Sequence, residues 1–191
     1  MSSPLYIPDI TTDAVITALI AFLQPFVGNW DGTNITPNNP TPIIRGEVNR
    51  VPMPETTPEG PFVKVIEINR KGLDAPSQFQ SSDPTVQQTT LKQSKQLDVQ
   101  IDFYGLPAGE WSAAVESAWR TPYACDQFPD GIKPLYCSDP HQMPLVTGEE
   151  QYEYRWVITG SLEYNPSVIV PQQSATELKV KQAGTYFEDL F

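Results

Sequence analysis

Positive charge is the scarcest commodity in this sequence. Twelve lysines and arginines stand against 23 aspartates and glutamates, a net charge of −11 at neutral pH. Proteins that wrap nucleic acid neutralise phosphates with clustered Lys and Arg, so that class is excluded, and so is adhesion to an anionic membrane surface. An acidic chain beside DNA has the opposite use, which is not to stick. Histidine occurs once, at His141, which excludes a histidine-rich metal site within one chain. Cysteine occurs twice, at Cys125 and Cys137. With no basic leader ahead of an apolar run, the chain reads as a soluble protein made in a reducing cytoplasm, and both thiols are expected free. Long hydrophobic runs are also missing. The best, residues 14–23, is about ten residues, half of the roughly twenty that cross a bilayer, so no membrane partner is expected.

Catalytic signatures are missing as well. There is no GxGxxG, Walker loop, GxSxG, HExxH or CxxC pair, so no catalytic residue, cofactor or metal ligand is expected. His141, between prolines in SDPHQMP, reads as a surface or packing residue. A nucleophile made from Cys125 or Cys137 with His141 would need an orienting partner, and the sequence offers no sign of one. Asp98 and Asp102 share a strand face about 13 Å apart, beyond the roughly 5–9.5 Å of a glycosidase carboxylate pair. Glu149, Glu150 and Glu153 cluster near Arg155 and read as a solvated or subunit-facing acidic patch. Asp74, Asp83 and Asp130 lack the spacing of a calcium loop.

What the sequence does hold is proline and alternation. Twenty prolines are about twice the usual share of roughly 5%, and they cut the chain into segments. In EEQYEYRWVITGSLEYNP, residues 149–166, apolar side chains fall on even positions, with Gly160 the only gap and Val157 the only apolar intruder. Period two held that long predicts a strand with one buried face and a span of roughly 46 Å. Its row of Tyr152, Tyr154, Trp156 and Tyr164 suits core packing against Trp-bearing helices, or else a sugar- or base-stacking platform. Residues 62–68, FVKVIEI, read as a central strand, and residues 42–52, PIIRGEVNRVP, hold a shorter one. From Leu91 to Phe103 the apolar residues fall on odd positions, which predicts a second long strand over 89–104.

Two helices complete the pattern. The first, over 10–26, carries Val15, Leu19, Phe22 and Phe26 at helical spacing, can be capped by Thr11 or Thr12, and should end or kink at Pro25. The second, over 105–122, buries Trp111, Val115, Ala118 and Trp119 and stops at Pro122. Residues 123–148 read as an irregular covering loop. The expected fold is α+β: an antiparallel β-sheet with two helices packed on one face, a long β-hairpin or loop protrusion, and an extended C-terminal arm. We expect a single domain over 1–191, with the polar protrusion at about 69–96 and the arm at about 172–191.

The order of RGEVNRVP, GPFVKV, DVQIDFYG, AGEWSAAVESAWR, TPYACD, PLYCSDPHQMP, EEQYEYRW and LEYNPSVIVPQ, covering roughly residues 43–172, resembles the neck or tail terminator proteins of tailed bacteriophages. The resemblance implies a structural virion protein at the head-to-tail junction and no catalysis. It implies a ring of copies of this chain, a hexamer, that caps the tail tube and docks on the head–tail connector or adaptor, with the sheath as a further neighbour. DNA would only pass through the channel. Assembly would take place in the host cytoplasm. On this reading Asp98, Asp102, Glu149, Glu150, Glu153 and Arg155 are candidates for a subunit interface or lumen. A head-completion adaptor or minor tail component is the alternative.

Overall fold

The computed structural model describes residues 7–30, 35–46, 61–81, 88–143, 145–146 and 152–171. The elements run α1 (Thr12–Val27), β1 (Asn29–Trp30), β2 (Ile35–Pro40), β3 (Ile43–Arg45), β4 (Phe62–Gly72), β5 (Ser77–Gln80), β6 (Gln88–Lys92) and β7 (Lys95–Tyr104). They continue with α2 (Ala108–Trp119), α3 (Pro122–Gln127), β8 (Ile132–Cys137), β9 (His141–Gln142), β10 (Leu145–Val146), β11 (Tyr152–Glu153), β12 (Arg155–Tyr164) and β13 (Ser167–Pro171). The fold is α+β. The main sheet has the order β3-β4-β7-β12-β8, with β9 also on β12.

The odd positions of β7 and the even positions of β12 meet in register, Phe103 opposite Trp156, Ile101 opposite Ile158 and Leu97 opposite Leu162. Together with Val63 and Val65 they form one apolar face, and α1 and α2 lie on it in a single core. Phe22 of α1 meets the Trp119 indole edge-on at 5.6 Å and stacks on Phe128 at 5.1 Å. The Gly160 gap has a steric cause, because a Cβ there would come within 2.7 Å of the Trp119 ring. A strand residue without a side chain lets the indole lie on the backbone.

Several expectations change. β3 runs parallel to β4 rather than antiparallel, and residues 46–61 supply the dozen or more that such a connection needs. Helix α1 continues past Pro25 and ends on Gly28, whose φ of 54° suits glycine. Only Phe26 and Val27 follow Pro25 in α1, so there is little helix beyond the proline to be broken. Pro122 does not simply stop α2. It opens α3 at the first helical position, where its missing N–H costs nothing. The stretch 123–148, expected as a loop, holds α3, β8, β9 and β10, and β8 pairs with β12.

Both long strands are interrupted. Residues 88–104 divide at Gln93 and Ser94 into β6 and β7, which belong to different sheets. The Asp74 carboxylate accepts from the Ser94 N–H at 2.9 Å, and the Ser94 carbonyl accepts from the Leu73 N–H. Residues 149–166 divide at Tyr154, whose carbonyl accepts from the Gly105 N–H. What remains, β12, has β7 on one side and β8 and β9 on the other. It is a central strand of its own chain, with no edge left to offer a neighbour. The aromatic row is likewise divided. Trp156 and Tyr164 pack in or against the core, while Tyr154 is 56% exposed at the interruption, so no continuous platform exists.

A second, three-stranded sheet, β13-β6-β5, stands beside the first. The expected C-terminal arm, 172–191, lies outside the described residues. No helix among the described residues is long and apolar enough to cross a membrane.

Candidate functional site

Three of the six candidate residues share the sheet face opposite the helices. Asp98 and Asp102 lie on one face of β7 with Gln100 between them, and Arg155 enters from β12 two pairs beyond the pairing of Val157 with Asp102. Asp102 is fully buried. Arg155 Nη2 donates to its Oδ2 at 2.8 Å, and Gln100 Nε2 donates to Oδ1 at 2.8 Å. The guanidinium also lies 5.8 Å from the Tyr104 ring, which stacks on Phe62 at 4.4 Å. This end of the face is an ion pair beside two stacked rings; its charges are paired inside the chain, while the buried Arg155 Nε has no hydrogen-bond partner among the described residues. Asp102 therefore forms no part of an exposed acidic surface.

Asp98 belongs to a wetter network. Ser161 Oγ donates to its Oδ1 at 2.6 Å, Gln96 Nε2 at 2.5 Å, and Asn69 Nδ2 reaches Oδ2 at 3.5 Å. Burial pushes its pKa up. The hydrogen bonds from Ser161, Gln96 and Asn69, with the charge of Lys71, outweigh burial and hold the carboxyl below the usual range. Glu153 closes β11, and Glu149 and Glu150 lie outside the described residues. Alternation alone placed Asp98 and Asp102 on one face, but Ser161 and Asn69 join Asp98 only through the registers of β12 and β4, which the sequence does not announce.

The thiols are unpaired, Cys137 buried and Cys125 partly so. Burial pushes the Cys137 thiol up to about 12, against the opposing pull of Arg120, so it is a packing residue rather than a nucleophile. His141 is exposed on β9. Among the described residues no group of three His, Cys, Asp or Glu is placed to hold a metal ion.

The surface most open to a partner was not singled out from the sequence. It is the small sheet, in which Phe79 of β5, Thr90 of β6 and Ile169 of β13 form one cross-strand row. Phe79 is 56% and Ile169 54% exposed, and the Lys92 ammonium lies 5.6 Å over the Phe79 ring. β5 and β13 are its two edges, and among the described residues no strand pairs with either on the far side. The strand signal for β6 was legible as the start of 89–104, but β13 was not singled out, and the polar residues around Phe79 gave no warning of β5.

A family model described as phage neck terminator protein matches residues 13–185. No curated protein matches the chain.

Proposed function

Because the chain belongs to the phage neck terminator proteins, structural components of the virion neck, we propose that it works as a ring of identical subunits, a hexamer. The ring caps the tail tube and joins it to the head–tail connector, leaving a channel for DNA. The observation that carries this reading is the small sheet. Its two edges, β5 and β13, are different surfaces on opposite sides of one unit, each with a large apolar side chain more than half exposed. A closed ring needs a heterologous contact of that kind, one surface of a copy meeting a different surface of the next. Strand edges supply main-chain hydrogen bonds for it, the groups of Ser167 excepted, since its N–H and carbonyl are already bonded to Asp9.

The charge agrees with the task. A chain at −11 repels phosphates, so DNA can slide past without binding. The acids of such a lumen would come from Asp98 and from Glu149, Glu150 and Glu153. The fully enclosed Asp102 and its partner Arg155 hold the sheet instead. Assembly in the host cytoplasm, and docking on the tube, sheath and connector, follow from the same role.

Native mass spectrometry of the purified chain, alone and with tail tubes, is the test. Hexamers in solution, or monomers that close into rings on tubes, are expected. Monomers that never join tubes would sink the reading. Electron micrographs of particles lacking the protein should show defects at the head–tail junction; defects at the tail tip would favour a minor tail component.

A further inference from the structure

We propose that residues 183–191 of one copy dock in a cleft of the neighbouring copy, aromatic side chains between its prolines and Glu188 and Asp189 against Lys95. This rests on the ring reading and names the contact that closes it. The cleft, about 360 Å³, opens where the small sheet meets the main one, and Pro8, Pro76, Leu91, Lys95, Pro166 and Val168 line it. Leu91 and Val168 are directly paired across β6 and β13 and make an apolar floor. Three of the lining residues are prolines, with fixed φ and no N–H to satisfy. A volume at the lower end of the roughly 300–1,000 Å³ of binding pockets suits one or two aromatic anchors.

Lys92 and Lys95 both line the cleft; the Lys92 ammonium lies over the Phe79 ring, and Lys95 supplies the remaining charge. Lys95, the first residue of β7, lines the cleft together with Leu91 of β6. Among the described residues Lys95 forms no ion pair. The nearby acids are engaged elsewhere: Asp9 accepts from the Ser167 N–H and hydroxyl at 2.6 Å, and Asp74 from the Ser94 N–H. In a chain with 23 acids and twelve bases, an uncommitted ammonium beside an apolar cleft calls for an acidic, aromatic partner.

The chain carries one. Residues 183–191 read AGTYFEDLF, with three aromatics, two acids and no base. Strand β13, whose Val168 forms part of the cleft, leads toward that segment from Pro171. The intervening residues 172–182 span at most about 36 Å when extended, enough to cross to an adjacent subunit. Segment and cleft are unlike surfaces of one molecule, which is the arrangement a head-to-tail ring requires.

The test uses full-length variants and native mass spectrometry. Lys95→Glu and Phe187→Ala should each lower the ring fraction at least tenfold without changing the melting temperature of the subunit. Adding Glu188→Lys and Asp189→Lys to Lys95→Glu should restore rings. Mixing Lys95→Glu with Phe187→Ala should give discrete pairs, because one supplies a sound segment and the other a sound cleft. A labelled 183–191 peptide should bind the Phe187→Ala chain and bind Lys95→Glu at least tenfold more weakly. Rings that survive both single changes overturn the docking and leave the ring reading standing. Peptide that binds Lys95→Glu as well as the Phe187→Ala chain overturns it too. If the unaltered chain forms no rings on tubes while the peptide still binds in this pattern, the ring reading fails and the cleft assignment stands.

Discussion

At the scale of single residues the main sheet is specified by a few steric and electrostatic choices. Gly160 leaves room for the Trp119 indole, and a methyl group there would lie 2.7 Å from the ring. Gly160→Ala should therefore cost about 2 kcal/mol, as overpacking in tight cores does, read as a lower midpoint in chemical denaturation. Arg155 answers the buried Asp102. Arg155→Ala strands that charge and should cost about 3–5 kcal/mol, whereas replacing both partners with Met and Leu of similar volume should be nearly neutral. Equal losses in the single and double variants would contradict this. Asp98 carries a pH signature. Its folded pKa lies below the ordinary value, so the unfolded chain binds the proton at a higher pH. The stabilisation is present above about pH 4 and is lost as the pH falls through the lower folded value. Ser161→Ala should raise the Asp98 pKa in an NMR titration and flatten the acid limb of stability against pH.

Among the elements, the informative events are interruptions. Alternation from residue 89 to 104 does not stop at Ser94, yet the strand does, because Asp74 from the preceding turn takes the Ser94 N–H and turns β6 into another sheet. Asp74→Ala removes a charged acceptor, a loss of about 1–2 kcal/mol in local protection. Amides of β5 and β6 should exchange faster under native conditions, with the β7 and β12 core unchanged; uniform acceleration would mean the two sheets unfold together. Pro25 and Pro122 give the same lesson from the other side. Proline's meaning depends on position. In the last turn of α1 it is tolerated, and at the start of α3 it is favoured.

For the whole molecule, the long strand predicted near the C-terminus is internal, with both edges of β12 filled by β7, β8 and β9. The open edges belong to the small sheet instead. Phe79→Glu should leave the subunit's melting temperature within about a degree, since an exposed change seldom exceeds 0.5 kcal/mol, while ring formation on tail tubes fails in an assembly assay. Rings that form normally would remove Phe79 from the contact. Family membership makes the chain a structural part of the virion neck.

The order of residues was enough to establish the α+β class, the buried stripes of both helices, the central place of 62–68, and the shared face of Asp98 and Asp102. All of these follow from periods of 3.6 and 2, which are local properties of the chain. The parallel run of β3, the two interruptions, β5, the enclosure of Asp102 by Arg155 and the cleft beside Lys95 were decided by tertiary structure. Each depends on which strand lies next to which and in what register. Hydrogen bonds between residues tens of positions apart choose that register, and no window of sequence contains them.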